Sequence, residues 1–316
     1  PEFIVAAARC GMTGDYEQNA TRLMQDMLDQ LPDGSIVDFD AGVAEGSGGH
    51  YRVDDTIVIR KNISLRGRAS RITGVMPDDA TDLIRFEPAS DTRGILVEGL
   101  RLAFERGGRH GVSFDGQAVG MIGNVVSRCL INGGAGGYAI RMAGAGNHYN
   151  AVRDCTLTGT SVETGAVLLE GADGTKLVDN LIAGIGCGVR IHTIAGAFKT
   201  GIIGGAIRSR DVGVYITGGQ QIDLERVQFE QGTFNAGTDL NQARYKSHVV
   251  IEAARAFPAG EEVRDVRIVA CNFGGGINQD SAITLTGYVR DVLIDENYFA
   301  SIGRERRHID QTNNVR

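Results

Sequence analysis

Carboxylates gather in one stretch of this chain: Asp223, Glu225 and Glu230, with Asp239 shortly after. Alternation along an extended segment puts Asp223 and Glu225 on one side of a strand, and Glu230 follows a turn. Carboxylates grouped in this way can divide the general-acid and general-base roles of glycosidic bond cleavage. A second pair, Asp154 and Asp179, occupies the same place in successive copies of a repeated phrase, so the two are expected to stack about 5 Å apart. At that distance two unit charges repel by about 3 kcal/mol at an effective dielectric near 20. Solvation, with Arg128 and Arg153 as partners, would reduce this below about 1 kcal/mol and leave two ordinary surface acids. A third group, Arg244, Tyr245, Lys246 and His248, combines a charge-neutralising cation with candidate bases, as an elimination requires. Arg190 and His192 form a smaller version of that set. His50, His110, His148 and His308 read as incidental loop residues.

The elements that must position these groups follow from a repeat. Its copies include Val125-Val126-Ser127-Arg128-Cys129-Leu130-Ile131, Val152-Arg153-Asp154-Cys155-Thr156-Leu157 and Leu177-Val178-Asp179-Asn180-Leu181-Ile182. Later copies are centred on Gly205, Val227, Cys271 and Asn297. The spacing is roughly 25 residues, the mark of a solenoid. Each copy is too short for a helix and alternates apolar with polar residues, as a half-buried strand does. A second short strand follows most copies: Gly137 to Met142, Ala166 to Glu170, Gly188 to His192, Gly213 to Thr217, His248 to Glu252 and Ala282 to Thr286. A coil of this length with short strands and no helical stripe predicts an all-β fold, a single right-handed parallel β-helix of about 10 coils. Cys129, Cys155, Asn180, Cys271 and Asn297 would then form an inward-facing turn ladder. Val126, Val152, Leu177, Ile202, Leu224, Ile268 and Ile294 would form an aliphatic stack.

Composition narrows the partners. The net charge is −7 and no basic run occurs, which argues against nucleic acid. No apolar stretch approaches the ~20 residues that cross a membrane. Trp is absent and aromatic residues make up 6%, so no broad aromatic sugar platform is evident. The 45 glycines are about twice the usual ~7% share and suit a fold with many tight corners. The five cysteines read as small buried fillers rather than as a disulfide or metal framework. No C-x-x-C or H-x-x-x-H pair suggests zinc, and no cofactor or metal is expected.

Three regions follow. Residues 1–33 hold an N-terminal segment and a helix that Asn19 can cap, running to about Leu31 with Leu23, Met24, Met27, Leu28 and Leu31 on one face. Laid over the first coil, that helix would cover an exposed strand edge. Residues 34–302 form the β-helix, interrupted by an insert at about 230–262, where the step from Val227 to Cys271 stretches to roughly 44 residues. Residues 303–316 read as a polar tail.

The N-terminal block also carries a resemblance. Gly14-Asp15, Asn19-Ala20-Thr21, Gly34-Ser35-Ile36-Val37-Asp38-Phe39, Tyr51-Arg52-Val53, Ile57-Val58-Ile59 and Ile63-Ser64-Leu65-Arg66-Gly67 resemble the opening of pectate-lyase-superfamily β-helix proteins. Phage tailspike and polysaccharide-depolymerase domains begin similarly. Tyr16 stands where the family pattern has a second Gly, and Asp40-Ala41-Gly42 replaces its Pro-containing turn. The family's Asn-Thr-Asp, Gly-His-Gly, Arg-Ile-Lys and Asp-Pro-His-Glu motifs are missing, so no catalytic residue carries over. The resemblance implies a protein that degrades a bacterial surface or extracellular polysaccharide; hydrolysis ranks ahead of elimination because an acidic polymer calls for more positive charge than a net −7 offers. Its alternative is a non-catalytic glycan-binding or spike-like shaft. It further implies an extracellular, virion or cell-surface location and a homotrimer.

Overall fold

The computed structural model describes residues 3–40, 48–68, 70–161, 163–192, 199–231, 247–253, 262–274, 281–300 and 307–312. Their strands form three long sheets of eleven, ten and ten strands, and every pairing between successive coils is parallel. Each coil crosses the sheets in a fixed order. Val125–Ser127 lies in sheet A, Leu130–Asn132 in sheet B and Ile140–Ala143 in sheet C, and the next coil repeats the sequence. The expected β-helix and its number of coils are therefore present, with three strands to a coil.

Stacking sets the core. Val126, Val152, Leu177, Ile202, Leu224 and Ile268 are in register on successive coils, and all are buried. Burial of each such side chain contributes about 1.5–3 kcal/mol. Phe229, Phe273 and Phe299 add an aromatic column with ring centroids 4.9 and 5.0 Å apart.

From Gly99 onward, the corner between sheets A and B takes one residue with left-handed backbone on each coil. Arg128, Asp154, Asp179, Arg226, Ala270 and Glu296 take it with φ between 51 and 55°, and Gly99 and Gly204 take it at 70 and 64°. Most of these are residue types that reach this region only at a cost, so the stack on either side must hold them there. The following residue turns inward, as the ladder reading anticipated. Asn180 Oδ1 accepts from Cys155 N (2.9 Å) and its Nδ2 donates to Val152 O (2.8 Å). Asn297 repeats the pattern with Cys271 N and Ile268 O at 2.8 and 2.7 Å. All five cysteines are free thiols. A second ladder was not anticipated: Asn124, Asn150, Thr175 and Thr200 stack buried at the corner that leads into sheet A.

At the N-terminal end each of the three sheets meets an earlier segment of the chain. Phe3–Ala6 adds a strand to sheet A, beyond the first coil expected at Ser35. The backbone of Gly14 and Ala20 bonds His50 N and Arg52 O along the first strand of sheet B (both 2.8 Å). The helix Thr21–Gln30 lies against Ile57–Ile59, the first strand of sheet C, with Met24, Met27 and Leu28 buried. Its Gln25 donates Nε2 to Val58 O and accepts from Val58 N, both at 2.9 Å, so one side-chain amide satisfies that strand edge. Asn19 Oδ1 accepts from Thr21 N (3.1 Å) at the start of the helix. At the other end the expected tail differs: Arg307–Thr312 is a strand that extends sheet C beside Ser281–Gly287. Backbone pairing on the last coil outweighs the absence of an apolar pattern.

Candidate functional site

Asp223 and Glu225 do share the outer face of sheet A, where the strand Gly219–Glu225 lines a groove of about 530 Å³ with Gly201, Ile203, Arg267 and Leu293. Each carboxylate has an arginine beside it. Asp223 Oδ1 lies 3.6 Å from Arg267 Nη1, and Glu225 Oε1 lies 3.4 Å from Arg226 Nη2. Glu230 is not part of this face. The left-handed turn at Arg226 sends it to sheet B, where it takes Arg208 Nε (2.6 Å) and Gln228 Nε2 (2.6 Å). Asp239, Arg244, Tyr245 and Lys246 lie outside the described residues.

Asp154 and Asp179 stack on successive turns, linked by Asp154 N to Val178 O (3.1 Å), and both are exposed. Arg128 pairs with Glu98 instead of with Asp154. His248 requires a correction. Its side chain is fully buried between the rings of Phe229 and Phe273, and Nε2 is 2.7 Å from Gly274 O. Burial lowers its pKa to about 4, so a neutral ring donates to that carbonyl. It faces the core and cannot meet a substrate.

The groups named in the smaller set, Arg190 and His192, are the ones that neighbours join. Both point outward from the strand Cys187–His192 of sheet C. The register places Arg141, Leu168, Arg190 and Tyr215 in one outer column, and Glu170 beside His192 in the next. Arg190 Cζ lies 5.5 Å from the centre of the Tyr215 ring, a cation–π contact. The Tyr215 hydroxyl donates to Glu252 Oε2. His192 Nδ1 is 2.8 Å from Thr217 Oγ1, and Arg141 Nη2 donates to Glu170 Oε2 at 3.3 Å. Cys187, Val212 and Val250 form an apolar cluster separate from the core, and Tyr215 packs on it. Tyr138 borders this group; burial raises its pKa, and the nearby Arg190 guanidinium opposes that shift.

This face therefore assembles an imidazole held at one nitrogen, a phenol paired with a carboxylate, and two guanidiniums. Glu170 and Glu252 are three coils apart, about 14 Å along the axis at ~4.8 Å per coil. That exceeds the roughly 6.5–9.5 Å at which two carboxylates share a hydrolytic step. What this arrangement can do is transfer protons and neutralise an anion. Tyr215, Glu252, Glu170 and Arg141 were missed in the sequence. Aligning the second strands of successive copies with one another would have placed Arg141, Arg190 and Tyr215 in one column.

A scan against protein-family models finds no match, and a search of curated proteins finds none either. Solved structures do match. An alginate lyase from a Paenibacillus species superposes with a TM-score of 0.56 at 11% identity, over 99% of this chain and 98% of that one. An α-1,3-glucanase catalytic unit from Streptomyces thermodiastaticus gives 0.55 at 13% identity, over 92% of this chain and 55% of that one. A protein of Geobacillus virus E2 gives 0.54 at 13% identity, over 98% of this chain and 60% of that one. The chain is a parallel β-helix protein. At these identities the likeness is one of fold, and the chemistry has to be argued from its own residues.

Proposed function

We propose that this protein is a polysaccharide-active enzyme that cleaves a uronate-bearing glycan by β-elimination on the outer face of sheet C. The observation that carries the reading is the convergence of Arg190, His192 and Tyr215 on two adjacent coils of one face. Arg190 would hold the uronate carboxylate, which makes the adjacent C5–H easier to remove, and Arg141, two coils away in the same column, would face a neighbouring sugar. Thr217 holds Nδ1 of His192, leaving Nε2 to take the C5 proton. The C5 electron pair then forms the C4–C5 double bond as the C4–O4 bond breaks, and Tyr215 delivers its hydroxyl proton to O4. Glu252 orients that hydroxyl. An extracellular, virion or cell-surface place of action, expected from the resemblance, suits such a substrate.

A second reading is hydrolysis at the sheet A groove, favoured by its volume of about 530 Å³ and by Asp223 and Glu225 side by side. One digestion separates the two. Incubation with a panel of acidic and neutral polysaccharides is expected to raise both reducing ends and the ultraviolet absorbance of an unsaturated product, on uronate polymers alone. Reducing ends without that absorbance support the sheet A acids, and loss of the activity in Glu225→Gln would confirm them. No change in either signal across the panel overturns both readings.

A further inference from the structure

Four arginines on the early coils each hold a carboxylate: Arg66 with Asp38, Arg109 with Asp82, Arg128 with Glu98 and Arg141 with Glu170. Arg71 and Arg101 do not. They are exposed, they form no ion pair among the described residues, and they are direct partners across adjacent parallel strands of sheet B. His50 continues the same column on the first strand. Like charges placed opposite one another cost stability in a sheet. A protein of net charge −7 has acids to spare, yet none among the described residues pairs with these two.

The surroundings of these arginines repeat the contacts found on sheet C. Tyr16 donates its hydroxyl to Glu105, as Tyr215 does to Glu252. Arg52 Cζ lies 5.7 Å from the Tyr16 ring centre, against 5.5 Å for Arg190 and Tyr215. His50 Nε2 is 2.9 Å from Thr73 Oγ1, against 2.8 Å for His192 and Thr217. The Tyr16 and His50 rings lie 4.6 Å apart, centre to centre, and form a small platform beside the arginine column. The same side-chain types have been brought together twice by different elements, once from three successive sheet C coils and once from the N-terminal segment over sheet B.

We propose that Arg71 and Arg101, with the Tyr16–His50 platform, form a second binding site, on sheet B, that takes the carboxylates of an anionic oligosaccharide. Two guanidiniums one coil apart, about 4.8 Å, suit planar carboxylate groups, and a sugar face can rest on the adjoining rings. The negative charge of the molecule as a whole disfavours a long phosphate polymer at this strip. The choice of a glycan rests on the reading of sheet C; the anion site does not.

The test is calorimetric titration of the full chain with an oligogalacturonide, its carboxyl-reduced counterpart and a single-stranded DNA oligonucleotide. His192→Ala serves as the background, so that the sugar stays intact. Adding Arg71→Ala and Arg101→Ala is expected to remove one equivalent of oligogalacturonide binding or to weaken it at least tenfold, with the melting temperature equal or higher because the like-charge contact is gone. Loss of this equivalent, where the parent protein with His192 intact shows no turnover of the polymer, would leave the sheet B site standing while the sheet C reading falls. An unchanged isotherm overturns the proposal, as does equal binding of the carboxyl-reduced sugar. Tighter binding of the oligonucleotide overturns the assignment to a glycan.

Discussion

Single side chains on sheet C separate chemistry from support. Replacing His192 by Ala or Tyr215 by Phe removes a proton-transfer group, and turnover of a uronate polymer is expected to fall by roughly 10²–10⁴. Thr217→Val leaves both groups in place and only frees the imidazole, so a smaller loss is expected in the same assay. Two other histidines act on stability. Burial pushes the pKa of both His110 and His248 down to about 4. The unfolded chain, with pKa near 6.5, then binds more protons between about pH 4 and 6.5, so stability is complete above that window and falls as pH drops through it. Each group is expected to account for about 3 kcal/mol, measured as urea midpoints against pH, and His248→Phe should flatten the profile. The sequence marked His248 as a candidate base because it follows Arg244, Tyr245 and Lys246 at the end of the insert. In the structure His248 and Val249 are both buried, since two consecutive residues face inward here, as do Ala282 and Ile283 on the next coil. Gly213, one coil below His248, marks the same inward step: a methyl group on its Cα would come within 3.0 Å of the Phe229 ring.

Elements carry their own tests. Asn180→Ala leaves Cys155 N and Val152 O without their side-chain partners, and a loss of about 1–3 kcal/mol is expected in urea unfolding. Gly204→Ala should also destabilise, because φ there is +64° and the added carbon would approach Asp179 Oδ1 to 2.1 Å. At the N-terminal end, Gln25→Ala exposes the edge of Ile57–Ile59, and light scattering is expected to report association beyond that of the parent protein. Much of this level was legible in the sequence. The repeat located the turn ladder and the sheet C strands because every coil must solve the same corner with the same kinds of residue. The buried ladder at Asn124 and Asn150 was not legible, since its members change type to Thr175 and Thr200 and lie outside the apolar phrase. Nor was the pairing of Arg307–Thr312, which depends on backbone bonds that no side-chain pattern announces.

For the whole molecule, the resemblance leads to an expectation of three chains, a proposal that light scattering coupled to gel filtration can decide. Three times the chain mass of 33.7 kDa is the expected value, and the mass of a single chain overturns it. The fold was readable at this scale because a solenoid extends one local rule along its axis. The site was only half readable, because its residues come from separate coils and meet through register: Arg190 and His192 were named by type, while Tyr215 and Glu252 needed the stacking of one strand on the next.

That stacking has a consequence for length. The arginine pair sits on the second and third strands of sheet B, and the Arg190–Tyr215 contact lies several coils further along. Because neighbouring coils differ by about 4.8 Å, the axial offset between the two regions can change only in whole steps of that size. Excising one complete intervening coil would shorten the offset by a single step while leaving the local make-up of each region intact. The molecule is in this sense a gauge with fixed graduations, and chains of graded coil number would reveal whether a long glycan is measured against it.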